Sequence, residues 1–229
     1  MQLLTIRGGS KEELESKRYN IGIGISLGNK WFSVDNVVAL TKWALQYTRE
    51  KVIIYVADSI HAINVEVRNR VTFQSALKKV DKLGSDILEQ TRLVLESELP
   101  GADLAKITYC KWDGLANKKY KDKVDYLNEL YRNDGNFQKS VTSIVRGFTS
   151  KETRHFSDAN ILRLGQYIIE ELPELINRVP MNGVECDAYV YPFDGELAVL
   201  TEKIQRGEIF PEIKRDIMDT NPKVFLEVR

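Results

Sequence analysis

A glycine-rich segment near the start of the chain, GIGISLGNKWFS at residues 22–33, has the residue types for three different kinds of chemistry. Gly24, Ser26 and Gly28 have the G-x-S-x-G spacing of a hydrolase nucleophile elbow, in which a sharp turn exposes the serine hydroxyl. Gly22, Gly24 and Gly28 form a loose version of the glycine pattern that binds dinucleotides. The third possibility is a nucleophilic serine at the end of a strand that works without a catalytic histidine.

The first two interpretations lack residues that their chemistry needs. A serine hydrolase uses a histidine, placed after the acid in chain order, and the sequence offers only His61 and His155. His61 closely follows Asp58 in a polar segment, and His155 lies in a charged stretch before a predicted helix. For dinucleotide binding the glycine spacing is wrong, and no acidic residue ends the second strand at the expected interval of about 20 residues past the glycines. Both interpretations are therefore less favoured.

The elements around Ser26 place it where α/β proteins bind their ligands. Residues 20–25 form an apolar run that predicts a buried strand, and Ser33 predicts the capped start of a helix. Residues 51–57 predict a second buried strand, so the spacing indicates a parallel pair joined by a crossover helix. Ser26 and Asp58 would then follow the carboxyl ends of adjacent strands, the edge at which doubly wound folds hold ligands.

The rest of the chain continues the alternation of helices and strands. Further helices are predicted at residues 73–98, 118–131, 136–145, 157–176 and 195–206, and further strands at residues 105–110, 184–191 and 224–228. No repeat or low-complexity linker interrupts the pattern. The sequence therefore predicts an α/β fold, a single doubly wound Rossmann-like domain over residues 1–229 with a mainly parallel sheet.

Composition limits the classes of function. Hydrophobic residues make up 43% and charged residues 29%, which is ordinary for a soluble globular protein. The 33 basic and 33 acidic residues cancel, so a polyanionic partner would have to be held by a local basic patch. Two cysteines give no disulfide framework, and no apolar run is long enough to span a bilayer. The N-terminus is not a signal peptide, so we expect a cytoplasmic protein with no membrane partner.

Three segments that lie far apart in the chain together resemble the tRNA-dependent cyclodipeptide synthases. The segment GISLGNKWFS at residues 24–33 resembles that family's serine motif, G-I-S-x-x-N-x-[FY]-[FS]. Tyr167, Glu171 and Pro173 match a second motif, Y-x-x-x-E-x-P, and the strand that ends at Tyr191 matches a third. The three motifs occur in the family's order, and the resemblance covers nearly the whole chain.

The resemblance implies a fold, a reaction and partners. The family is similar to the catalytic domains of class I (tyrosyl- and tryptophanyl-type) aminoacyl-tRNA synthetases, but it makes a cyclic dipeptide from two aminoacyl-tRNAs without ATP. It implies an aminoacyltransferase, and we expect a monomer that uses no cofactor. The histidines and cysteines are scattered along the sequence, so no metal site is predicted. Two alternatives stay open: an aminoacyl-tRNA hydrolase that releases free amino acid, and a non-catalytic tRNA-binding module with the same fold.

The resemblance also implies roles for the motif residues. Ser26 would be the nucleophile that receives the aminoacyl group, and Tyr191 would help to position it. Tyr167 and Glu171 would hold the ammonium group of the bound amino acid, and Glu171 would relay protons when amines attack. Tyr167 and Glu171 are four residues apart on a predicted helix and therefore share one face.

Other positions are assigned to the substrate by the same resemblance. Gly24 and Gly28 would leave room for the substrate to approach the backbone, and Asn29 would hydrogen-bond the serine loop or the aminoacyl group. Asn29 is typical of one branch of the family and Pro192 of another, so the branch stays open. Tyr120 matches a tyrosine near the family's site.

The first aminoacyl side chain would enter a pocket at Gly22, Gly24, Glu174 and Tyr189. Glu174 would place a carboxylate beside that side chain, and a buried carboxylate without a partner is unfavourable. We therefore expect a polar first residue that offers an N–H or a positive charge, such as histidine.

Basic residues for tRNA are predicted on the helix at residues 73–98, which resembles the family's tRNA-contacting helix. Four side chains of this helix would contact phosphates: Lys78, Lys79, Lys82 and Arg92. A second basic cluster could equally be a solvated surface; it contains Lys118, Lys119, Lys121 and Lys123.

Overall fold

A computed structural model describes residues 1–115, 117–192 and 195–229. Its strands are β1 (Leu3–Arg7), β2 (Tyr19–Ile25), β3 (Thr48–Val56), β4 (Ile107–Lys111), β5 (Pro180–Met181), β6 (Val184–Glu185), β7 (Ala188–Tyr191) and β8 (Val224–Val228). Its helices are α1 (Lys11–Glu15), α2 (Val34–Tyr47), α3 (Asp58–Asn69), α4 (Phe73–Glu98), α5 (Gly101–Leu104), α6 (Lys118–Asn133), α7 (Gly135–Thr149), α8 (Asp158–Ile176), α9 (Glu196–Arg206) and α10 (Pro211–Ile217), with a 3-10 turn at Trp112–Leu115.

Six of these strands form one sheet in the order β1-β8-β7-β2-β3-β4. The five strands from β8 to β4 are parallel, and only β1 runs antiparallel, against β8. From β2 the chain builds the sheet first towards β3 and β4, and later towards β7 and β8. The crevice between the carboxyl ends of β2 and β7 is thus the point at which the winding reverses, where such sheets bind ligands. The predicted α/β fold with a mainly parallel sheet is confirmed.

The two faces of the sheet are covered by different helices. On one face, α2 and α4 pack on alternate residues of β2 and β3, including the fully buried Ile23 and Ile54. The opposite face carries aromatic side chains, among them Tyr55 of β3 and Tyr189 of β7. Ser33 caps α2 by accepting a hydrogen bond from the backbone N–H of Asn36, as its sequence position predicts. The aromatic face is the one that carries the candidate site.

Several elements differ from the sequence prediction. The strand predicted over residues 184–191 is two strands, because Asp187 between them turns its carboxylate inward, where it accepts the backbone N–H of Asn20 at 2.8 Å. Helix α3 was not predicted, since polar residues dilute its apolar face. Strand β1 was also missed, although it forms an edge of the sheet. Within the described ranges, no helix is long and apolar enough to cross a membrane.

Candidate active site

Ser26 is the first residue after β2 and lies beside the crevice between β2 and β7. The chain turns sharply here, because the Asn29 N–H donates to the Ser26 carbonyl at 3.2 Å and Gly28 has a φ of +88°, which favours glycine. The side chain of Asn29 stabilises the turn through hydrogen bonds of both its oxygen and its nitrogen. Its Oδ1 accepts the Trp31 N–H at 3.0 Å, and its Nδ2 donates to the Tyr191 hydroxyl at 3.4 Å. The structure thus gives Asn29 the loop contact that was one of its two predicted roles.

Four motif residues from three separate segments meet at this turn. The Ser26 hydroxyl interacts with the hydroxyls of Tyr167, on α8, and Tyr191, at the end of β7, and this interaction acts to lower the pKa of both phenols. The Tyr167 hydroxyl also donates to Glu171 Oε1 at 3.5 Å, one helical turn further along α8. All four side chains line one cavity of about 920 Å³. The structure therefore brings together the serine, the two tyrosines and the glutamate that the motifs singled out.

Burial changes the acid–base properties of these side chains. Burial, and to a smaller extent the nearby Glu174 carboxylate, raise the pKa of Glu171 to about 8, although the hydrogen bond from Tyr167 acts to lower it. Burial also raises the pKa of Tyr167 well above its usual range, and it raises the pKa of Tyr191. Both phenols are therefore protonated at neutral pH. Glu171 can accordingly take up and release a proton near neutral pH, while the tyrosines remain hydrogen-bond donors.

The two glycines of β2 do not open space for a substrate. A Cβ atom on Gly24 would lie 2.7 Å from Tyr189 Cε2 and 3.0 Å from the Tyr55 hydroxyl. A Cβ atom on Gly22 would collide with Cys186 Sγ. The prediction that these glycines give the substrate room is therefore wrong, because neighbouring side chains already fill the space. Tyr189 itself lines the cavity, with its ring stacked on Tyr191 at a centroid distance of 5.6 Å.

The Glu174 carboxylate already has partners within the protein. Its carboxylate is buried and forms an ion pair with Lys223, and Oε1 also accepts a hydrogen bond from the Tyr55 hydroxyl at 2.8 Å. Lys223 Nζ additionally donates to the Glu174 carbonyl at 3.1 Å. The prediction of an unsatisfied carboxylate beside the first side chain is wrong, since Lys223, 49 residues away along the chain, supplies the partner. The expectation of histidine as the first amino acid depended on an unpaired Glu174 carboxylate, so it has no support from this residue.

The comparisons with known proteins decide the family. The sequence matches the family model for cyclodipeptide synthase over residues 8–210. The chain belongs to the cyclodipeptide synthase family. This match confirms the family predicted from the three motifs, together with its enzyme class, an aminoacyltransferase. A search of curated proteins gave no significant match.

Solved cyclodipeptide synthases share the fold at low sequence identity. The enzyme from Bacillus thermoamylovorans is 19% identical, with a TM-score of 0.75 over 95% of this chain and 92% of its own. A Mycobacterium tuberculosis protein, described as a cyclodipeptide synthetase related to type I tRNA synthetases, is 16% identical, with a TM-score of 0.69 over 96% and 90%. The enzyme from Candidatus Glomeribacter gigasporarum, solved bound to Phe-tRNAPhe, is 16% identical, with a TM-score of 0.59 over 92% and 88%.

Tyr120 of this synthase lies behind the site instead of in its cavity. The residue is buried, and its hydroxyl donates to the backbone carbonyl of Glu170, next to Glu171 on α8. Its ring packs edge-on against Trp112 at a centroid distance of 6.3 Å. The contact that the structure shows for Tyr120 is therefore with the helix that carries Glu171, and not with a substrate.

Helix α3 brings further side chains to the cavity that the motifs did not indicate. His61 packs against Gly28 of the serine turn, and burial lowers its pKa to about 4, so its imidazole is neutral at pH 7. Its Nδ1 lies 3.4 Å from the Asn64 amide nitrogen, where a hydrolase triad would have a carboxylate. Arg68 lines the same wall. The spacing of these three residues by three and four positions was the available signal that they share a helix face.

The predicted tRNA-binding residues differ in their environments. Three exposed lysines project from α4: Lys78, Lys79 and Lys82. Asp81 beside them is paired with Lys111 at 2.6 Å, so its charge is already compensated. Arg92 forms ion pairs with two glutamates of its own helix, at 2.8 and 3.9 Å, and phosphate would have to compete with both. The lysines are thus the stronger part of this patch.

The second basic cluster is partly used within the protein. Lys119 and Lys123 both contact Asp219, with Nζ–Oδ distances of 2.7 and 3.1 Å, and Lys123 is buried. These two side chains attach α6 to the segment before β8. Lys118 and Lys121 are exposed.

Proposed function

We propose that this synthase joins two amino acids into a cyclic dipeptide by a ping-pong route through an aminoacyl ester on Ser26. The observation that carries the proposal is the position of the Ser26 hydroxyl, which is held by Tyr167 and Tyr191 in a cavity that also contains Glu171. A serine held by two phenols at the switch point of the sheet has the placement of a nucleophile, and a carboxyl group with a pKa of about 8 supplies the proton carrier.

The first step exchanges one ester for another. Ser26 Oγ attacks the carbonyl carbon that joins the amino acid to the terminal ribose of tRNA, and the bond from that carbon to the ribose oxygen breaks. The serine proton ends on the released ribose hydroxyl. Because an ester is both consumed and formed, the exchange needs no nucleotide. Tyr167 and Tyr191, both protonated, orient Oγ and can donate to oxygen as negative charge develops on it.

The second half of the reaction forms two amide bonds. The amino group of the Ser26-bound residue attacks the ester of a second aminoacyl-tRNA, which releases that tRNA and leaves a dipeptidyl ester on Ser26. The free amino group of the dipeptide then attacks the Ser26 ester, which closes the ring and frees the serine. Each attack needs a deprotonated amine, and Glu171 is placed to take the proton because its carboxyl titrates near neutral pH.

We also propose that the acceptor arm of tRNA lies along α4, with Lys78, Lys79 and Lys82 against its phosphates. Their exposure supports this, since surface lysines without buried ion pairs can exchange counterions for phosphate. The relative from Candidatus Glomeribacter gigasporarum was solved with Phe-tRNAPhe bound, which supports aminoacyl-tRNA as the partner. We propose that residues 1–229 act as one catalytic domain, as a monomer, in the cytoplasm.

Product analysis tests the proposed reaction against its two alternatives. The protein is mixed with total tRNA charged with the full set of radiolabelled amino acids, and the products are separated by chromatography and mass spectrometry. Cyclic dipeptide is expected from the wild type and not from Ser26→Ala. Release of free amino acid alone would indicate an aminoacyl-tRNA hydrolase. Binding of tRNA without any turnover would indicate a non-catalytic module.

A further inference from the structure

One wall of the cavity is formed by α3, a helix that carries none of the motif residues. Three polar side chains of α3 line the cavity: His61, Asn64 and Arg68. Arg68 is paired with Glu152, with its Nε and Nη2 atoms 3.0 and 2.9 Å from Oε1, so its charge is compensated within the protein. His61 lies against the serine turn. The proposed reaction gives His61 no role.

The imidazole ring of His61 is packed directly against the backbone of the serine turn. A Cβ atom on Gly28 would lie 3.1 Å from Cε1 and 3.2 Å from Nε2 of this ring, which is tighter than ordinary packing. The glycine therefore serves the turn in two ways: it adopts a φ of +88°, and its missing side chain lets the imidazole approach. The edge of the ring that contacts the turn is the one that carries Nε2.

The position of the proton on this imidazole follows from its contacts. The amide nitrogen of Asn64 lies 3.4 Å from Nδ1. An amide nitrogen only donates, so Nδ1 is the acceptor and carries no proton. Burial, together with the Arg68 charge, lowers the pKa of His61 to about 4, so the neutral ring has its single N–H at Nε2. Within the part of the chain that the structure describes, Nε2 has no hydrogen-bond partner.

A neutral N–H that faces the cavity suits an oxygen atom of the substrate. Because Nε2 already carries a proton, it does not take the proton of Ser26, and a ring with a pKa of about 4 is a weak base. His61 is thus a hydrogen-bond donor and not the general base of a hydrolase. When a substrate replaces the water in the cavity, this donor needs an acceptor, since an unsatisfied buried N–H is unfavourable.

The position of α3 in the fold indicates which part of the substrate meets His61. On one side α3 packs on α4, where a Cβ atom on Gly84 would lie 2.9 Å from Asp58 Cβ. On the other side an ion pair of 2.7 Å between Glu66 and Arg163 joins α3 to α8. Helix α4 carries the lysines proposed to hold tRNA, and α8 carries two of the motif residues. A tRNA end that runs from α4 to the serine therefore passes α3, and its last part before the ester is the terminal ribose.

We propose that His61 Nε2–H donates a hydrogen bond to the ribose oxygen that leaves when Ser26 is acylated, and that Asn64 positions the ring by fixing its tautomer. In this step the bond from Ser26 Oγ to the carbonyl carbon forms, the bond from that carbon to the ribose oxygen breaks, and the serine proton ends on the ribose oxygen. His61 keeps its own proton, and its N–H stabilises the negative charge that develops on the leaving oxygen. The inference rests on the proposed function and deepens it, because it adds a leaving-group donor that none of the three motifs contains.

The rates at which two different esters acylate Ser26 test this role. One ester is aminoacyl-tRNA, and the other is the cyanomethyl ester of the same amino acid, whose leaving group contains no ribose and departs without a donor. His61→Phe keeps a flat ring against Gly28 and removes the N–H. Acylation by saturating aminoacyl-tRNA should slow by about 100-fold, as when one donor to a developing oxyanion is removed. The tRNA concentration that gives half the maximal rate, and acylation by the cyanomethyl ester, should both stay within about threefold of wild type.

Further variants separate a hydrogen bond from packing. His61→Gln retains a neutral amide N–H and should acylate at least about tenfold faster than His61→Phe with aminoacyl-tRNA. Asn64→Leu should slow the same reaction by about fivefold, the value of one hydrogen bond, but should add nothing in the His61→Phe background, because Asn64 acts through the ring. The matched control, His155→Phe, replaces an exposed histidine that does not line the cavity, and should keep both rates.

Other outcomes would overturn the assignment. An equal loss with both esters in His61→Phe would show that the ring only supports the serine turn, and an unchanged rate with aminoacyl-tRNA would show that the donor has no role. If His61→Phe does not fold, Asn64→Leu decides the point: it should slow acylation by aminoacyl-tRNA and spare acylation by the cyanomethyl ester, and equal effects would contradict the inference. Absence of Ser26 acylation by both esters in the wild type would instead contradict the proposed function itself.

Discussion

Replacing Glu171 with glutamine should abolish dipeptide formation and, at the same time, make the protein more stable at alkaline pH. Burial, together with the nearby Glu174 carboxylate, raises the pKa of Glu171 in the folded protein to about 8. In the unfolded chain the same carboxyl group titrates at about 4.3. Between these values the folded state holds a proton that the unfolded state has lost. The free energy of unfolding therefore falls as the pH rises from about 5 to about 8.

The size of the effect follows from the width of this interval. Each pH unit changes the free energy of unfolding by about 1.4 kcal/mol, so the whole interval sets an upper bound of about 5 kcal/mol. Because the cavity admits water that can solvate the carboxylate, we expect the actual change in the free energy of unfolding to be about 2–3 kcal/mol, below this upper bound. Glutamine has nearly the same shape and does not ionise. The free energy of unfolding of the variant, measured relative to that of the wild type, should consequently increase by about 2–3 kcal/mol between pH 5 and pH 9.

Urea unfolding of both proteins between pH 5 and pH 9 measures this difference. Titration of the other groups is common to both proteins and cancels in the comparison. Glu129→Gln, at an exposed position of α6, serves as the control and should show a difference that does not change with pH. A stability difference between wild type and Glu171→Gln that is the same at pH 5 and pH 9 would refute the raised pKa, and with it the proton-carrier role.

Three further predictions concern the support of the site and its nucleic-acid partner. Lys223→Met should lower the free energy of unfolding in urea by about 3–5 kcal/mol, because it leaves the Glu174 carboxylate buried without its partner. Lys223→Met combined with Glu174→Leu should lower it clearly less, and equal losses would contradict a buried ion pair. Gly24→Ala should lower both the thermal unfolding temperature and Ser26 loading, because the new Cβ atom meets two tyrosine rings, and wild-type values for both would contradict the packing described. Changing three lysines to alanine should flatten the log–log salt dependence of tRNA binding by about 2, at about 0.7–0.9 per phosphate contact, and an unchanged slope would show that they are an ordinary solvated surface. These lysines are Lys78, Lys79 and Lys82.

The parts of the fold that depend on local sequence were predictable. Residues 20–25 and 51–57 read as buried strands because nearly every side chain in them is apolar, and Ser33 marked the start of α2 because its hydroxyl caps the helix. The motifs identified Ser26 and Glu171 as parts of one site although they lie on different elements. Family resemblance supplied that connection, which no periodicity in the chain contains.

The parts that depend on tertiary contacts were not predictable. Glu174 reads as an unpaired acid in the sequence, and only the alignment of α8 with the start of β8 brings Lys223 to it. In the sequence, Gly24 suggests free space for a substrate beside β2, but the register of β2 with its neighbours places two tyrosine rings over it. Arg7 lies on a short edge strand with little apolar pattern, so nothing local connects it with the cavity.

Detection of an aminoacyl ester on Ser26 tests the proposed covalent intermediate most directly. The protein is mixed with aminoacyl-tRNA, quenched in acid within seconds, and analysed by intact mass spectrometry followed by peptide mapping. We expect a mass increase of one aminoacyl group on the peptide that contains Ser26. The increase should be lost in Ser26→Ala and retained in Ser33→Ala, which removes the helix cap in the same segment. Full dipeptide production by Ser26→Ala, or an adduct that persists in that variant, would contradict the covalent intermediate.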